Sequence, residues 1–231
     1  MNHVINSIKK PSMVKALIRK DWYFTKQNLL SFFLLGLVSA ALLSFENQVF
    51  YIGLVLLISV VILIGALLVF STVINERKNQ NLAFLMSLPI TCMDYTKAKM
   101  ILNLSAYFVA WLILVVATIG VIYFSQHIPN GLIPYALIIL IELMVAFILV
   151  LGTALVTESE MWSTVIMTIT NIGVSLFMFL IAGIKSINQH MESSVAVWNS
   201  MALMIIGIEI MIAGLIIGLT FYLQYRKKDF I

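Results

Sequence analysis

Six continuous apolar runs constrain this chain more than any other feature: Leu29–Phe45, Val49–Ile74, Met100–Phe124, Leu132–Val156, Trp162–Ile184 and Ser200–Gln224. A helix needs about 20 mainly apolar residues, within a range of roughly 17–25, to cross the hydrocarbon core of a bilayer. The runs are unbroken, whereas barrel strands would alternate over about 10 residues, so helices are expected. Hydrophobic residues make up 62% of the 231 and charged residues 10%. A soluble domain has roughly 45–50% and 25%, and one this small could not hide so much apolar surface. The expected fold class is all-α and integral to the membrane, one transmembrane domain over residues 1–231 with six transmembrane helices.

Orientation follows from the basic residues, which concentrate on the cytoplasmic side of membrane proteins. Lys9, Lys10, Lys15, Arg19, Lys20 and Lys26 precede the first run. Arg77, Lys78, Lys97 and Lys99 lie between the second and third, and Arg226, Lys227 and Lys228 follow the sixth. Six crossings place these thirteen on one side and leave only Lys185 on the other, so both termini are expected to be cytoplasmic. The net charge of +4 is spread among short segments between apolar runs, which argues against a nucleic-acid partner and for the lipid bilayer. The single cysteine, Cys92, excludes an intramolecular disulfide framework and a Cys-rich metal site. No cleavable leader is expected, because the first apolar run starts only after 28 residues rich in polar side chains.

The segments between the spans carry the remaining signal. Residues 1–28 form a cytoplasmic segment whose Ser12–Asn28 part reads as an amphipathic elbow helix. Its Met13, Leu17, Trp22 and Phe24 would lie in the interface, with Lys15, Arg19, Lys20 and Lys26 toward anionic headgroups. A plain basic anchor explains the same residues equally well. The loop 75–99 begins polar and then presents Leu82, Leu85 and Met86 at helical spacing. Pro89 ends that short helix, and Thr91-x-x-Asp94 reads as a capping box opening the third span. Such a helix is either a docking knob for a soluble partner or an interfacial loop resting on lipid.

On Glu76-Arg-Lys, Leu82-x-Phe-Leu-Met-Ser-Leu-Pro89, Ile90-Thr and Lys97-Ala-Lys99, this loop resembles the first cytoplasmic loop of ABC-2-type transporter permeases. Ala16-Leu-Ile-Arg-Lys-Asp-Trp22 is similar to the elbow helix of the same family. Cys92 departs from the pattern, since a basic residue is expected after the Pro-Ile-Thr turn. The resemblance implies a bacterial plasma-membrane exporter subunit with a cytoplasmic coupling helix between spans 2 and 3. In that arrangement Leu82, Phe84, Leu85 and Met86 insert into an ATPase groove, and Glu76 and Arg77 fix the loop by polar contacts. The sequence holds no G-x-x-x-x-G-K-[ST] phosphate loop, so the resemblance implies that ATP and Mg bind on a separate ABC ATPase, two copies per assembly. It also implies a second permease subunit, identical or different, and export of a peptide, toxin or antimicrobial. A reading from another class is a non-transporting immunity or sensor protein that binds a peptide or regulates a partner complex.

Two acids interrupt the apolar runs, Glu142 in the fourth and Glu209 in the sixth. At about 1.5 Å per residue both lie about 10–15 Å from the outer ends of their spans. An intramembrane carboxyl is costly and usually faces a bundle interior or cavity. Glu142, Asn171 and Glu209 are therefore candidates for a polar substrate path. The alternative is two protonated acids hydrogen-bonded to neighbours such as Thr170, Asn171 or Ser175. Thr157-x-x-Glu160 is expected to cap the fifth span, with Glu158 either at the positive end of its dipole or a second ATPase contact. Residues 185–199 read as an extracellular pair of short interfacial helices, with Trp198 in the interfacial belt. Gly214-x-x-x-Gly218 permits close packing within or between subunits. His3, His127 and His190 are isolated and no H-E-x-x-H motif occurs, so the chain is not expected to be an enzyme.

Overall fold

The computed structural model describes residues 13–78, 91–157 and 159–227, which are helical apart from short connections. In chain order they form α1 (Met13–Leu42), α2 (Gln48–Val69), a π-helical turn (Phe70–Ile74) running into α3 (Asn75–Lys78), α4 (Cys92–Phe124), α5 (Leu132–Thr157), α6 (Glu160–Gly183), α7 (Lys185–Met191) and α8 (Ser200–Arg226). Six helices are long and apolar enough to cross a membrane, and the chain is a multi-pass membrane protein on that ground.

Polar contacts define the two ends of the bundle. At one end, here the basic end, Lys20 of α1 and Lys99 of α4 meet Glu76 of α3. There too the last turn of α8 meets the last turn of α5, through Gln224 Nε2 to Leu155 O at 2.7 Å and Lys227 Nζ to Val156 O at 2.6 Å. At the far end, His127 Nδ1 lies 2.6 Å from Glu46 Oε1, and the Gly131 amide donates to Ser193 O at 2.9 Å. The spans therefore alternate in direction, and α5 and α8 run parallel.

Inside a bilayer, lipid tails compete with side chains for apolar contact, so close packing and hydrogen bonds between helices decide the arrangement. α5 is the hub, packed against α2, α4, α6 and α8. Tyr107 of α4 stacks on Phe147 of α5 with ring centroids 3.9 Å apart. Its hydroxyl donates to Leu143 O at 3.2 Å, and Trp111 Nε1 donates to Leu140 O at 2.6 Å. Gly65 on α2 makes the close approach possible, because a Cβ there would lie 2.8 Å from the Phe147 ring. Gly214 and Gly218 behave differently: a Cβ on either would meet nothing within 4 Å. The glycine pair of α8 thus serves no packing among the described residues, and the tight α5–α8 contact is made by Gly152 against Thr220.

Three local expectations change. The sequence suggests an elbow over Ser12–Asn28 ahead of the first span, and among the described residues α1 is helical without interruption from Met13 to Leu42. There is no Gly or Pro between Met13 and Gly36 to break it. Its buried stripe is Leu17, Asp21, Thr25 and Leu29, one residue per turn, while Trp22 and Phe24 are exposed. The third span starts eight residues before its apolar run, at Cys92, where Thr91 and Asp94 do form the expected capping box. Ser159 rather than Thr157 caps α6, accepting from the Trp162 amide, because Thr157 still belongs to α5 and bonds back to Thr153 O. Beyond α6 there is one short helix, not two. The Ser193 hydroxyl bonds to the carbonyls of His190 and Val195 at 2.7 and 2.6 Å, a local competition that stops helix growth.

Candidate functional site: a buried ion cluster and a membrane acid pair

The first candidate site closes the basic end of the bundle. Lys99 is wholly buried, and Asp21 and Glu76 are 4% and 6% exposed. Lys99 Nζ sits 2.7 Å from Asp21 Oδ2 and 2.5 Å from Glu76 Oε2. Lys20 closes the ring, 3.2 Å from Asp21 Oδ1 and paired with Glu76 Oε1. The Tyr95 hydroxyl adds a donor to Glu76 Oε2 at 3.1 Å. Two ammonium groups thus balance two carboxylates. Buried ions survive only when neutralised and hydrogen-bonded in this way. Burial alone would raise the Glu76 carboxyl, but Lys99 and Lys20 beside it hold it below its ordinary value.

A polar seam supports the cluster from the membrane side. Thr72 Oγ1 bonds to Leu68 O at 2.7 Å and to Asn103 Oδ1 at 3.1 Å, and Asn103 Nδ2 donates to Lys99 O at 2.7 Å. Thr25 Oγ1 bonds to Asp21 O and meets Ser71 Oγ. Ser71 and Thr72 lie in the π-helical turn. A π-turn inserts an extra residue into the helix and so re-aims the side chains beyond it, and such turns are frequent at functional sites. The side chain re-aimed in this chain is that of Glu76, in the first turn of α3.

The cluster ties three elements, α1, α3 and α4, of which α3 and α4 are the described helices on either side of residues 79–90. The partners of Glu76 are α1 and α4 side chains. Arg77 falls on α3. Leu82, Phe84, Leu85 and Met86 lie outside the described residues, as does Glu158. Sequence alone marks Asp21, Lys20 and Lys99 only as interfacial or orienting charges. One signal singles out Asp21: it shares the i, i+4 stripe Leu17–Asp21–Thr25–Leu29, whose ends are apolar.

The second candidate lies within the spans. Glu209 is 3% exposed and Glu142 half-buried, and the two are within electrostatic reach of one another. Neither carboxyl oxygen of Glu209 has a hydrogen-bond partner among the described residues. The expected neighbours do not satisfy it: Thr170 bonds to Ile166 O and Ser175 to Asn171 O on their own helix. Asn171 lines a recess together with Gly65, Tyr107, Leu143, Phe147 and Met167. Glu142 and Glu209 lie on the packed helices α5 and α8, and Asn171 lies on α6.

These features define a helical, multi-pass membrane protein with a neutral ion cluster at one end and, within a span, a buried acid whose oxygens have no hydrogen-bond partner among the described residues. No known family, curated protein or solved structure matches the chain.

Proposed function

We propose that this chain is the membrane-spanning permease subunit of an ATP-driven ABC-2-type exporter in a bacterial plasma membrane, with both termini cytoplasmic. The observation that carries the reading is the Lys20–Asp21–Glu76–Lys99 cluster. It braces both roots of the loop that carries the coupling-helix pattern. A loop that receives force from a partner must be joined stiffly to the spans it moves. A neutral, buried, multiply bonded cluster supplies that stiffness, whereas a loop merely resting on lipid has no need of it.

In this reading Leu82, Phe84, Leu85 and Met86 dock in a separate ABC ATPase, which binds ATP and Mg. Two ATPases act on two permease subunits, and α1, α3 and α4 pass the motion of the loop to the bundle. The exported molecule is a peptide, toxin or antimicrobial.

The test is co-expression with a candidate Walker-containing ABC ATPase, followed by affinity purification in mild detergent. Association and ATP hydrolysis are expected with the native chain, and loss of both with Leu85→Asp. Association that survives Leu85→Asp unchanged would refute docking by this helix.

A further inference from the structure

We propose that Glu142 and Glu209 form a binding site, in the seam between α5 and α8, for a single monovalent cationic group of the ammonium or guanidinium class.

The register of the two helices brings the acids together. Gly152 meets Thr220, and Leu155 O accepts from Gln224, so facing positions on these parallel helices differ by 68 or 69 in number. Carried about three turns toward the far end at 3.6 residues per turn, that register sets Glu142 level with positions 210 and 211, one or two residues from Glu209. The buried residues of α8 are Ala202, Glu209, Ala213, Thr220 and Gln224, a single narrow stripe. The small side chains Ala202 and Ala213 share that stripe with Glu209. Thr220 and Gln224, on the same stripe, are both hydrogen-bonded. Glu209 is the polar member whose oxygens have no partner among the described residues.

Nothing else in the described bundle neutralises the pair at this depth. α2 carries Tyr51 near the far end and α4 carries Tyr107, whose hydroxyl is engaged by Leu143 O. Tyr135 of α5 bonds to Met178 O, and the one ionisable residue of α6 is Glu160 at the basic end. On α7 and just after it, Lys185, His190 and Glu192 lie at the far end. On α8, Tyr222, Tyr225 and Arg226 lie at the basic end.

An intramembrane acid without a partner is costly, and a positive group beside two of them offsets that cost. Charge balance sets the loaded state. One monovalent cation neutralises one carboxylate, and the other carboxyl keeps its proton and donates its O–H across the pair. In the empty site both carboxyls hold their protons, so loading releases one proton for each cation bound. The half-buried side of Glu142 is the route of access. The assignment of the cation to a transported molecule rests on the permease reading, whereas the site itself belongs to this chain alone.

The experiment uses the full chain in nanodiscs of phosphatidylglycerol, which brings no lipid amine. It titrates n-butylguanidinium by calorimetry, with n-butylurea as the uncharged control. Expected are saturable one-to-one binding, one proton released per probe in weak buffer, and at least a tenfold loss of affinity in Glu142→Gln and in Glu209→Gln. Thermal unfolding of each variant near that of the native chain establishes that it is folded. Glu209→Asp, which keeps the charge, is expected to retain binding if a Gln variant fails to fold. Repeating the titration in phosphatidylethanolamine separates the sources: competition there identifies a lipid headgroup as the ligand. Absence of saturable binding to the native chain, or equal binding to the doubly substituted Gln chain, would overturn the proposal. Either result leaves the ATPase association test untouched.

Discussion

Lys99→Met probes the ion cluster most directly. The native arrangement sets two ammonium groups against two carboxylates, and Lys99 is the member with no solvent access. Its removal leaves Asp21 and Glu76, both nearly buried, to share Lys20, which is 38% exposed and correspondingly screened. Breaking a buried pair from one side costs about 3–5 kcal/mol, a large fraction of a stability of about 5–15 kcal/mol. Lys99→Met combined with Asp21→Asn leaves one neutral pair, Lys20 with Glu76, and no uncompensated charge. The double variant is expected to recover about 1–3 kcal/mol relative to the sum of the single changes. The measurement is reversible unfolding in mixed micelles on a gradient of SDS, followed by near-ultraviolet circular dichroism. A Lys99→Met chain within about 0.5 kcal/mol of native, the range of an ordinary surface change, would refute burial of the cluster. Additive single effects would refute the pairing of Asp21 with Lys99.

The same geometry sets three further outcomes. Glu76 ionises below its ordinary value of 4.5, so its stabilising contribution is fully present above that value and is lost as pH falls through the lower folded-state value. Unfolding measured from about pH 6 to 3 should therefore show a steeper acid loss in the native chain than in Glu76→Gln, and parallel curves would contradict the ion pairing. Gly65→Ala drives a Cβ to 2.8 Å from Phe147 and should cost about 1–3 kcal/mol. By contrast Gly214→Ala, with nothing within 4 Å, should be neutral or stabilising by up to about 1 kcal/mol, which the same SDS titration would read. Ser159→Ala should destabilise by about 1 kcal/mol through loss of the α6 cap, and Thr157→Ala should not.

The six spans are readable in the sequence because crossing hydrocarbon demands a continuous apolar run, and that demand is local. The Thr91–Asp94 cap is readable for the same reason, since both partners lie within one turn. The ion cluster is not. Asp21 and Lys99 are 78 positions apart, and a charge beside an apolar run looks alike whether it faces water, headgroups or another helix. Charge counting treats Lys20 and Lys99 as orienting residues, yet neither is free at the basic end. The acid pair falls between these cases. Counting residues from the span ends predicts a common depth for Glu142 and Glu209, since helical rise is fixed. Depth does not fix rotation about the helix axis, and rotation decides which side chains of neighbouring spans face one another. That rotation depends on where backbones approach most closely. It is decided by Gly152 against Thr220, two small contacts in an apolar background, and not by the more conspicuous glycine pair one turn apart on α8. The two sites therefore depend on opposite features of one bundle. At the basic end four charges are mutually satisfied and hold α1, α3 and α4 as a unit. In the α5–α8 seam an acid is held in place with its oxygens unengaged by the described residues, so a cation entering there meets a carboxyl already positioned by the packing of α5.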